Sequence, residues 1–216
     1  MMGVIIMVDK ITINCQNSIK MTGDKIIYFD PFKIEEEYKD ADLIFITHDH
    51  YDHLDIDSIK KIIKEDTKVI VPNSIAVKVL GMGISNKQLL GVDPNEHYNI
   101  LDYDIETVPS YNVNKKFHPK DSQFVGYIIN IDGERIYVAG DTDANDDIKN
   151  IQCDIALYPI GGTFTSNYKE AAEYINFIKP KTVIPTHYAT VVGGIADGVK
   201  FKELLDDDIE CVLKIK

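Results

Sequence analysis

The sequence predicts a mixed α/β domain, and three observations carry that prediction. Short apolar runs, such as residues 43–47 and 182–185, have the length and composition of buried strands. Segments with apolar residues at helical spacing, such as residues 167–179, alternate with such runs. The dipeptide Asp132-Gly133 lies between two further apolar runs and is a strong signal for a β-hairpin. Strands and helices therefore alternate along most of the chain, as they do in α/β folds.

The order of the elements in the first half follows from the apolar runs and the residues that bound them. Runs bounded by Gly, Pro, Asn or Asp predict strands over residues 4–8, 11–15, 26–29, 43–47, 68–71, 88–92, 97–101 and 103–108. Helical spacing predicts one helix over residues 57–64, with Asp57 as its N-cap, and another over residues 73–80, ended by Gly81. A polar loop over residues 110–122 then leads into the second half.

The second half shows the same alternation of strands and helices. Apolar runs predict strands over residues 124–131, 134–139, 155–160, 182–185 and 209–215. A helix is predicted over residues 167–179, where Asn167 and Glu170 form a capping-box pattern. A last helix is predicted over residues 197–205.

A short pattern is shared by the two halves. Thr47-His48 ends an apolar run in the first half, and Thr186-His187 ends one in the second. No linker is long enough to separate independent domains. We therefore expect a single domain over residues 1–216, made of two similar halves at roughly residues 1–109 and 110–216.

The charge of the chain indicates which partners to expect. The formal net charge is −12 at pH 7, and no long basic run occurs. Proteins that bind nucleic acid mainly through phosphate contacts rely on clustered Lys and Arg. We therefore expect a small-molecule substrate and no nucleic-acid partner, while the oligomeric state stays open.

The cysteines and the first residues indicate a compartment. Cys15, Cys153 and Cys211 are widely spaced and form no CxxC motif. This spacing fits neither a disulfide framework nor a thiolate metal site, and it favours a reducing compartment. Residues 1–8 are apolar, but they are too few for a membrane span and no basic segment precedes them. We therefore expect a cytoplasmic protein without a membrane span.

The most informative stretch contains His48, His50, Asp52 and His53, directly after the predicted strand over residues 43–47. Three of the chain's six histidines lie within the six residues 48–53. Neutral imidazole and carboxylate are ligands suited to zinc and neighbouring divalent metals. One tetrahedral ion rarely takes so many ligands from so short a loop, so the stretch predicts two ions close together.

Completing two metal sites requires ligands from elsewhere in the chain. The candidates are His118, Asp141 and His187, each in a loop or at the end of a predicted strand. His97 has a weaker context and is interpreted as structural or solvated. Asp30, which ends another strand, is a candidate for holding a ligand histidine through its second ring nitrogen.

Taken together, the motifs resemble the metallo-β-lactamase superfamily. They are the run Thr47-His48-Asp49-His50-Tyr51-Asp52-His53, then Gly140-Asp141-Thr142, then Thr186-His187. Residues 158–165 and 184–188 are similar to one branch, the metal-dependent hydrolases related to L-ascorbate-6-phosphate lactonase and N-acylphosphatidylethanolamine phospholipase D. The resemblance implies an αββα four-layer sandwich of two mixed sheets, with helices outside and a dimetal site at the common edge of the sheets.

The resemblance also implies a ligand set. One ion would be bound by His48 and His50, and the other by Asp52, His53 and His187, with Asp141 bridging. The superfamily has a third histidine on the first ion, which in relatives of the phospholipase type directly follows a strand. Here Pro109-Ser110 is followed by Tyr111, and we expect His118 to take that role.

The activity implied by the resemblance is hydrolysis of an ester, a lactone or a phosphodiester by hydroxide held between two divalent ions. Zinc is the expected metal, with manganese, iron and nickel as alternatives. Asp52 would orient the hydroxide and Tyr188 would donate a proton to the leaving group. The backbone N–H groups of Gly161 and Gly162 would bind an anionic part of the substrate.

Three other functions deserve comparison. A nuclease would need basic surface that the chain lacks, and the extra domain usual in such nucleases has no room in 216 residues. A redox di-iron relative typically has glutamate at the position of His50. A metal-binding protein without turnover would not need the water-orienting Asp52. Hydrolysis of a small molecule is therefore the preferred prediction.

Overall fold

The first sheet contains six strands in chain order. In the computed structural model, which describes residues 7–215, these strands are β1 Ile11–Ile13, β2 Ile19–Thr22, β3 Ile26–Phe29, β4 Ala41–Phe45, β5 Ile63–Pro72 and β6 Leu89–Val92. Strands β1 to β3 pair antiparallel, and β3 to β6 pair parallel. The parallel strands β3 and β4 therefore present their carboxyl ends at the same edge of the sheet.

The second sheet contains seven strands, and the chain passes into it between Val92 and His97. The strands are β7 His97–Ile100, β8 Tyr103–Pro109, β9 Val125–Ile131, β10 Glu134–Val138, β11 Ile155–Pro159, β12 Thr182–Thr186 and β13 Glu210–Cys211. Strands β7 to β10 pair antiparallel, and β10 to β13 pair parallel. The carboxyl ends of β10 and β12 therefore also lie at one edge.

The inward faces of the two sheets form one apolar core. Phe29 and Phe45 of the first sheet stack with ring centroids 4.7 Å apart, and Tyr127 of the second sheet packs edge-on against Phe45 at 4.9 Å. All three rings are buried, and each buried aromatic ring contributes about 1.5–3 kcal/mol to stability. Tyr127 also donates its hydroxyl to Ile46 O at 2.7 Å, which ties the second sheet to the end of β4.

Four helices cover the outer faces of the two sheets. They are α1 Ile56–Ile62, α2 Asn73–Gly81, α3 Tyr168–Ile178 and α4 Ile195–Lys202. The first two pack on the first sheet, for example through Ile59 and Val79, and the other two pack on the second, for example through Ile175 and Phe201. The predicted αββα sandwich is therefore confirmed. Among residues 7–215, no helix combines the length and apolarity needed to cross a bilayer.

Some helix ends differ from the prediction because a neighbouring residue forms the cap. Asp55, and not Asp57, is the N-cap of α1, since its carboxylate accepts from the Asp57 N–H. Gly81 is the last residue of α2, and the left-handed glycine beyond it is Gly83, at φ 98°. The capping box of Asn167 at the start of α3 is confirmed.

Several strand bounds also differ from the prediction. Of the predicted strand over residues 4–8, residues 4–6 lie outside the described residues and the rest belongs to a 3-10 helix, Met7–Lys10. The strand predicted over residues 11–15 ends early, since the chain turns at Gln16, where φ is 50°. The last strand, β13, is short because it pairs only with the start of β12.

The two sheets are in close contact where β4 and β10 end. Gly140 follows β10 with φ 66°, and a Cβ atom at this position would lie 2.9 Å from Thr47 Cβ. Any larger residue would therefore clash with Thr47 and adopt a strained backbone. The Val125 N–H donates to Thr47 O at 3.2 Å and makes a second connection. The ends of β3, β4, β10 and β12 are thus brought to one place.

Candidate metal centre

A buried carboxylate organises the end of β4. Asp30 is completely buried and accepts from Thr47 N at 2.8 Å, Thr47 Oγ1 at 2.7 Å and Asn17 Nδ2 at 2.7 Å. Its Oδ2 also lies 2.7 Å from His53 Nδ1. A carboxylate can only accept, so His53 carries its proton on Nδ1 and directs Nε2 away from Asp30. The expected role of Asp30 in orienting a histidine is in accord with this contact.

Three histidines form a first group of side chains whose nitrogen atoms could bind a metal ion. Side chains of this kind are called metal donors below. His48 Nε2 lies 3.1 Å from His50 Nδ1, and His118 Nε2 lies 3.2 Å from His48 Nε2 and 3.0 Å from His50 Nδ1. His48 and His118 are buried and His50 is half-buried. Ring nitrogens without protons repel one another at such distances, and a shared cation removes that repulsion.

The loop between β8 and β9 places His118 in this group. Asn112, which is buried, donates through Nδ2 to Phe164 O at 2.8 Å, and its Oδ1 lies 2.8 Å from His118 Nδ1. The amide orientation therefore puts the His118 proton on Nδ1 and leaves Nε2 free to bind an ion. The Asn112 N–H also donates to His118 O at 2.8 Å, which closes the loop between the two residues.

Asp52, His53 and His187 form a second group of donors. His187 Nε2 lies 3.3 Å from Asp52 Oδ2, and His53 Nε2 lies 3.8 Å from the same oxygen. The rings of His53 and His187 are stacked, with centroids 5.3 Å apart. All three side chains are buried, and together they offer one oxygen and two nitrogens.

Asp141 lies between the two groups. Its Oδ2 is 3.2 Å from His187 Nε2, 3.5 Å from His118 Nε2 and 3.9 Å from His48 Nε2, and its Oδ1 is 3.3 Å from His53 Nε2. One carboxylate therefore faces histidines of both groups. The structure thus brings all seven predicted ligand residues together at one sheet edge.

The charges within the cluster affect which groups carry protons. Burial, together with the charge of His53, holds the pKa of His48 well below its usual value. Burial also lowers the pKa of His118 to about 4, against the opposing charge of Asp141. Burial alone would raise the pKa of Asp52, but the hydrogen bond from His187 and the charge of His53 lower it to about 2. His48, His118 and Asp52 are therefore in the forms that bind metal, neutral imidazole and ionised carboxylate. Burial would lower the pKa of His53, but the charges of Asp141 and Asp30 hold it well above its usual value, so a metal ion would displace a proton from this ring.

The remaining donors also fit a cation. Burial would raise the pKa of Asp141, but the charges of His187 and His53 hold it well below its usual value. His53 Nε2 and Asp141 Oδ1 are buried and 3.3 Å apart, yet neither has a hydrogen-bond partner among the described residues. Buried polar atoms without partners are costly, and a bound divalent ion would satisfy both.

Tyr188 is not brought into this cluster, so the prediction that it donates a proton is not supported. Its side chain is buried in the apolar cluster beneath α4, and its hydroxyl would lie 2.7 Å from a Cβ atom at Gly198. His187 has φ 55°, and the chain turns there so that Tyr188 packs under the helix.

The two glycines after β11 and the remaining histidine also have structural roles. A Cβ at Gly161 would lie 2.2 Å from His187 O, so Gly161 permits close packing against the His187 backbone. The Gly162 N–H donates to Ser166 O at 3.1 Å, so it is not free to bind an anion as predicted. His97 is exposed on β7 and belongs to neither donor group.

Two residues near the donors were missed by sequence reasoning. Gln16 and Asn112 are both buried beside predicted ligands, but amides in loops are usually solvated and carry no metal signal. The sequence around Asn112 gave no signal either, because the usual partners of ligand histidines are carboxylates, backbone carbonyls and water. Nothing in the sequence around Gln16 indicated its position.

The αββα fold and the cluster of histidines and aspartates at its sheet edge define a class of metal-binding proteins. Comparison with known families supports that class. Residues 10–187 match the family described as the Beta-lactamase superfamily domain. The chain belongs to this superfamily.

Within the superfamily, the chain is similar to metal-dependent hydrolases. It is 34% identical over 211 residues to a UPF0173 metal-dependent hydrolase of Pyrococcus abyssi, covering 88% of this chain and 89% of that protein. A crystal structure described as a metal-dependent hydrolase from Parabacteroides distasonis has a TM-score of 0.80 and 28% identity, covering 95% and 93% of the two chains. Igni18, a metallo hydrolase of Ignicoccus hospitalis, shares the fold with a TM-score of 0.72 at 24% identity, covering 95% of each chain. By family, the chain is a metal-dependent hydrolase.

Proposed function

We propose that this metal-dependent hydrolase holds two divalent ions and cleaves an ester, lactone or phosphodiester bond in a small-molecule substrate. The observation that carries the proposal is the position of Asp141 between two separate groups of donors. A single ion would leave one group of buried donors unused, whereas two ions would use both. Zinc is the metal we expect, and manganese, iron and nickel are compatible with the same ligands.

The seven donors divide into two sets with one shared member. His48, His50 and His118 would hold one ion, and Asp52, His53 and His187 would hold the other, with Asp141 shared. Divalent ions bound there would supply hydroxide near neutral pH and polarise the oxygen of the bond to be cleaved. The protein's contribution is to fix these donors before substrate arrives.

Asp52 is the residue we assign to orienting the nucleophilic water. Its contacts with Gln16, His53 and His187 all involve Oδ2, which leaves Oδ1 as the acceptor for a proton of that water. The low pKa of about 2 keeps Asp52 ionised at neutral pH. At this pKa the carboxylate is a weak base, so its main contribution is orientation and proton acceptance within a hydrogen bond.

Charge and cysteine usage support the substrate class and the compartment. The net charge of −12 disfavours a polyanionic nucleic acid and leaves a small molecule as the proposed substrate. Cys15, Cys153 and Cys211 are all free thiols, which is consistent with a reducing cytoplasmic compartment.

Metal analysis and one isosteric variant test the proposed function. We expect about two ions per purified chain, and hydrolysis of at least one member of a panel of lactones, phosphodiesters and carboxylic esters. Asp52→Asn should lower kcat by about 100-fold or more, because it removes the ionised acceptor. His97→Ala, at an exposed histidine, is the matched control and should leave both quantities unchanged. One ion or fewer, or full activity in Asp52→Asn, would contradict the proposal.

A further inference from the structure

Gln16 is a buried side chain that lies beside the second group of donors. Its relative exposure is 0%, which is unusual for a glutamine in a loop. Its Nε2 lies 3.4 Å from Asp52 Oδ2 and 3.3 Å from His187 Nε2. Asp52, His53 and His187 are the three residues proposed to bind the second ion and not the first. Gln16 therefore contacts two of these three residues.

The orientation of the Gln16 amide is set by the loop that follows β12. The Val191 N–H donates to Gln16 Oε1 at 3.3 Å. Only the oxygen of a side-chain amide can accept a hydrogen bond, so the NH2 group faces Asp52 and His187. In this orientation Gln16 is a donor to the Asp52 carboxylate and not an oxygen ligand for an ion.

The backbone of Gln16 makes a second connection to the same segment. The His187 N–H donates to Gln16 O at 3.0 Å. His187 and Ala189 both have positive φ angles, 55° and 64°, so this segment depends on outside contacts to keep its shape. Gln16 supplies two of those contacts, one from its main chain and one from its side chain.

We propose that Gln16 is a positioning residue for the second ion. Its NH2 group fixes the Asp52 carboxylate next to His187. Its Oε1 accepts from the Val191 N–H, which ties the ligands of the second ion to the loop after β12. The inference rests on the proposed dimetal function, since it assigns Gln16 to one of two ions. Loss of Gln16 should therefore weaken the binding of one metal ion and leave the binding of the other metal ion unchanged.

Two substitutions that both remove the NH2 donor, but differ in shape and in the acceptor for Val191, test this role. Gln16→Leu removes both the donor and the acceptor, whereas Gln16→Glu keeps an acceptor for the Val191 N–H and places a negative charge near the ion. Titration of metal-free protein with Zn2+ by calorimetry should show one step weakened about 10–100-fold in Gln16→Leu. The same step should also weaken in Gln16→Glu, because a carboxylate oxygen cannot donate to Asp52 and repels its negative charge. A residue with only a packing role would leave binding unchanged in Gln16→Glu, because the two side chains have nearly the same shape.

Hydrogen exchange of the Val191 amide gives a readout that is independent of metal and of activity. The Val191 N–H should exchange faster in Gln16→Leu, which lacks its acceptor, and should stay protected in Gln16→Glu. Gln123→Leu is the matched control, because Gln123 is exposed and has nearly the same backbone angle, φ 52°. This control should leave both metal-binding steps and the Val191 exchange rate unchanged.

The possible outcomes of these experiments distinguish the role of Gln16 from the proposed dimetal function. Unchanged Zn2+ binding in Gln16→Leu, or equal weakening of both steps, would overturn the role of Gln16 while leaving two ions in place. A single binding step in the wild-type protein would overturn the dimetal function. In that case the role of Gln16 stands if both Gln16→Leu and Gln16→Glu weaken the single step, and it falls with any other result.

Discussion

The two Thr-His strand ends of this protein look alike in sequence but are supported in different ways. At the end of β4, the Thr47 hydroxyl donates to Asp30, and His53 on the same loop is held by the same carboxylate. At the end of β12, Thr186 Oγ1 and His187 Nδ1 are buried and have no hydrogen-bond partner among the described residues. His187 is held instead by its backbone N–H and by the amide of Gln16.

This difference indicates that the two strand ends contribute unequally to preorganisation. The Asp30 carboxylate fixes His53 before any ion binds, and it also fixes which ring nitrogen carries the proton. His187, at the end of β12, depends instead on the backbone conformation of a loop. We therefore expect substitutions around Asp30 to affect the fold itself, and substitutions around His187 to affect mainly the bound ion.

The largest expected effect is the loss of Asp30. Asp30→Ala leaves the donors on Asn17, Thr47 and His53 buried without an acceptor, so we expect the free energy of unfolding to fall by about 3–5 kcal/mol. Urea denaturation of metal-free protein measures this change. Asp66→Ala, at an exposed aspartate, is the control and should stay within about 0.5 kcal/mol of wild type. An equally small change in Asp30→Ala would contradict the organising role of this carboxylate.

A matched pair of substitutions compares the two strand ends directly. Thr47→Val removes a buried hydroxyl with partners and should destabilise the protein by about 1–3 kcal/mol. Thr186→Val removes a buried hydroxyl without a partner, so it should be neutral or stabilising. Both threonines are completely buried, which makes the pair comparable by urea denaturation. If the two variants lose equal stability, the asymmetry between the strand ends is wrong.

The smallest of these effects concerns the support of His118. Asn112→Ala removes the acceptor for His118 Nδ1, and we expect one Zn2+ binding step to weaken by about 10-fold. Asn112→Asp keeps an acceptor for His118 and should restore most of that affinity. Asn130→Ala, at an exposed asparagine on β9, should leave calorimetric Zn2+ binding unchanged. Weak binding in the aspartate variant as well would show that His118 is positioned in another way.

The ligand candidates were predictable because their chemistry is local in the sequence. His48, His50, Asp52 and His53 lie on one loop after a buried strand, and no packing requirement explains that density of imidazole. The fold class was predictable for a similar reason, since strand and helix periodicities are also local. His118 could be proposed by residue type, but its contact with His48 depends on how its loop closes through Asn112.

Other features could not be predicted because they depend on tertiary contacts. Tyr188 is next to His187 in sequence, yet the left-handed backbone at His187 sends the two side chains to different places. The burial of Gln16 results from its contact with a segment more than 170 residues away. Local patterns carry no information about either contact.

The close approach at Gly140 has a consequence for how the protein folds. The donors come from both sheets, and they meet only after β4 and β10 have packed against each other around Gly140 and Thr47. The short histidine loop alone therefore offers only part of the coordination set, and the full set exists only when the two sheets are packed together. Unlike a zinc finger, which needs its ion to fold, this chain has an apolar core between its two sheets that holds the ligand residues in place through packing.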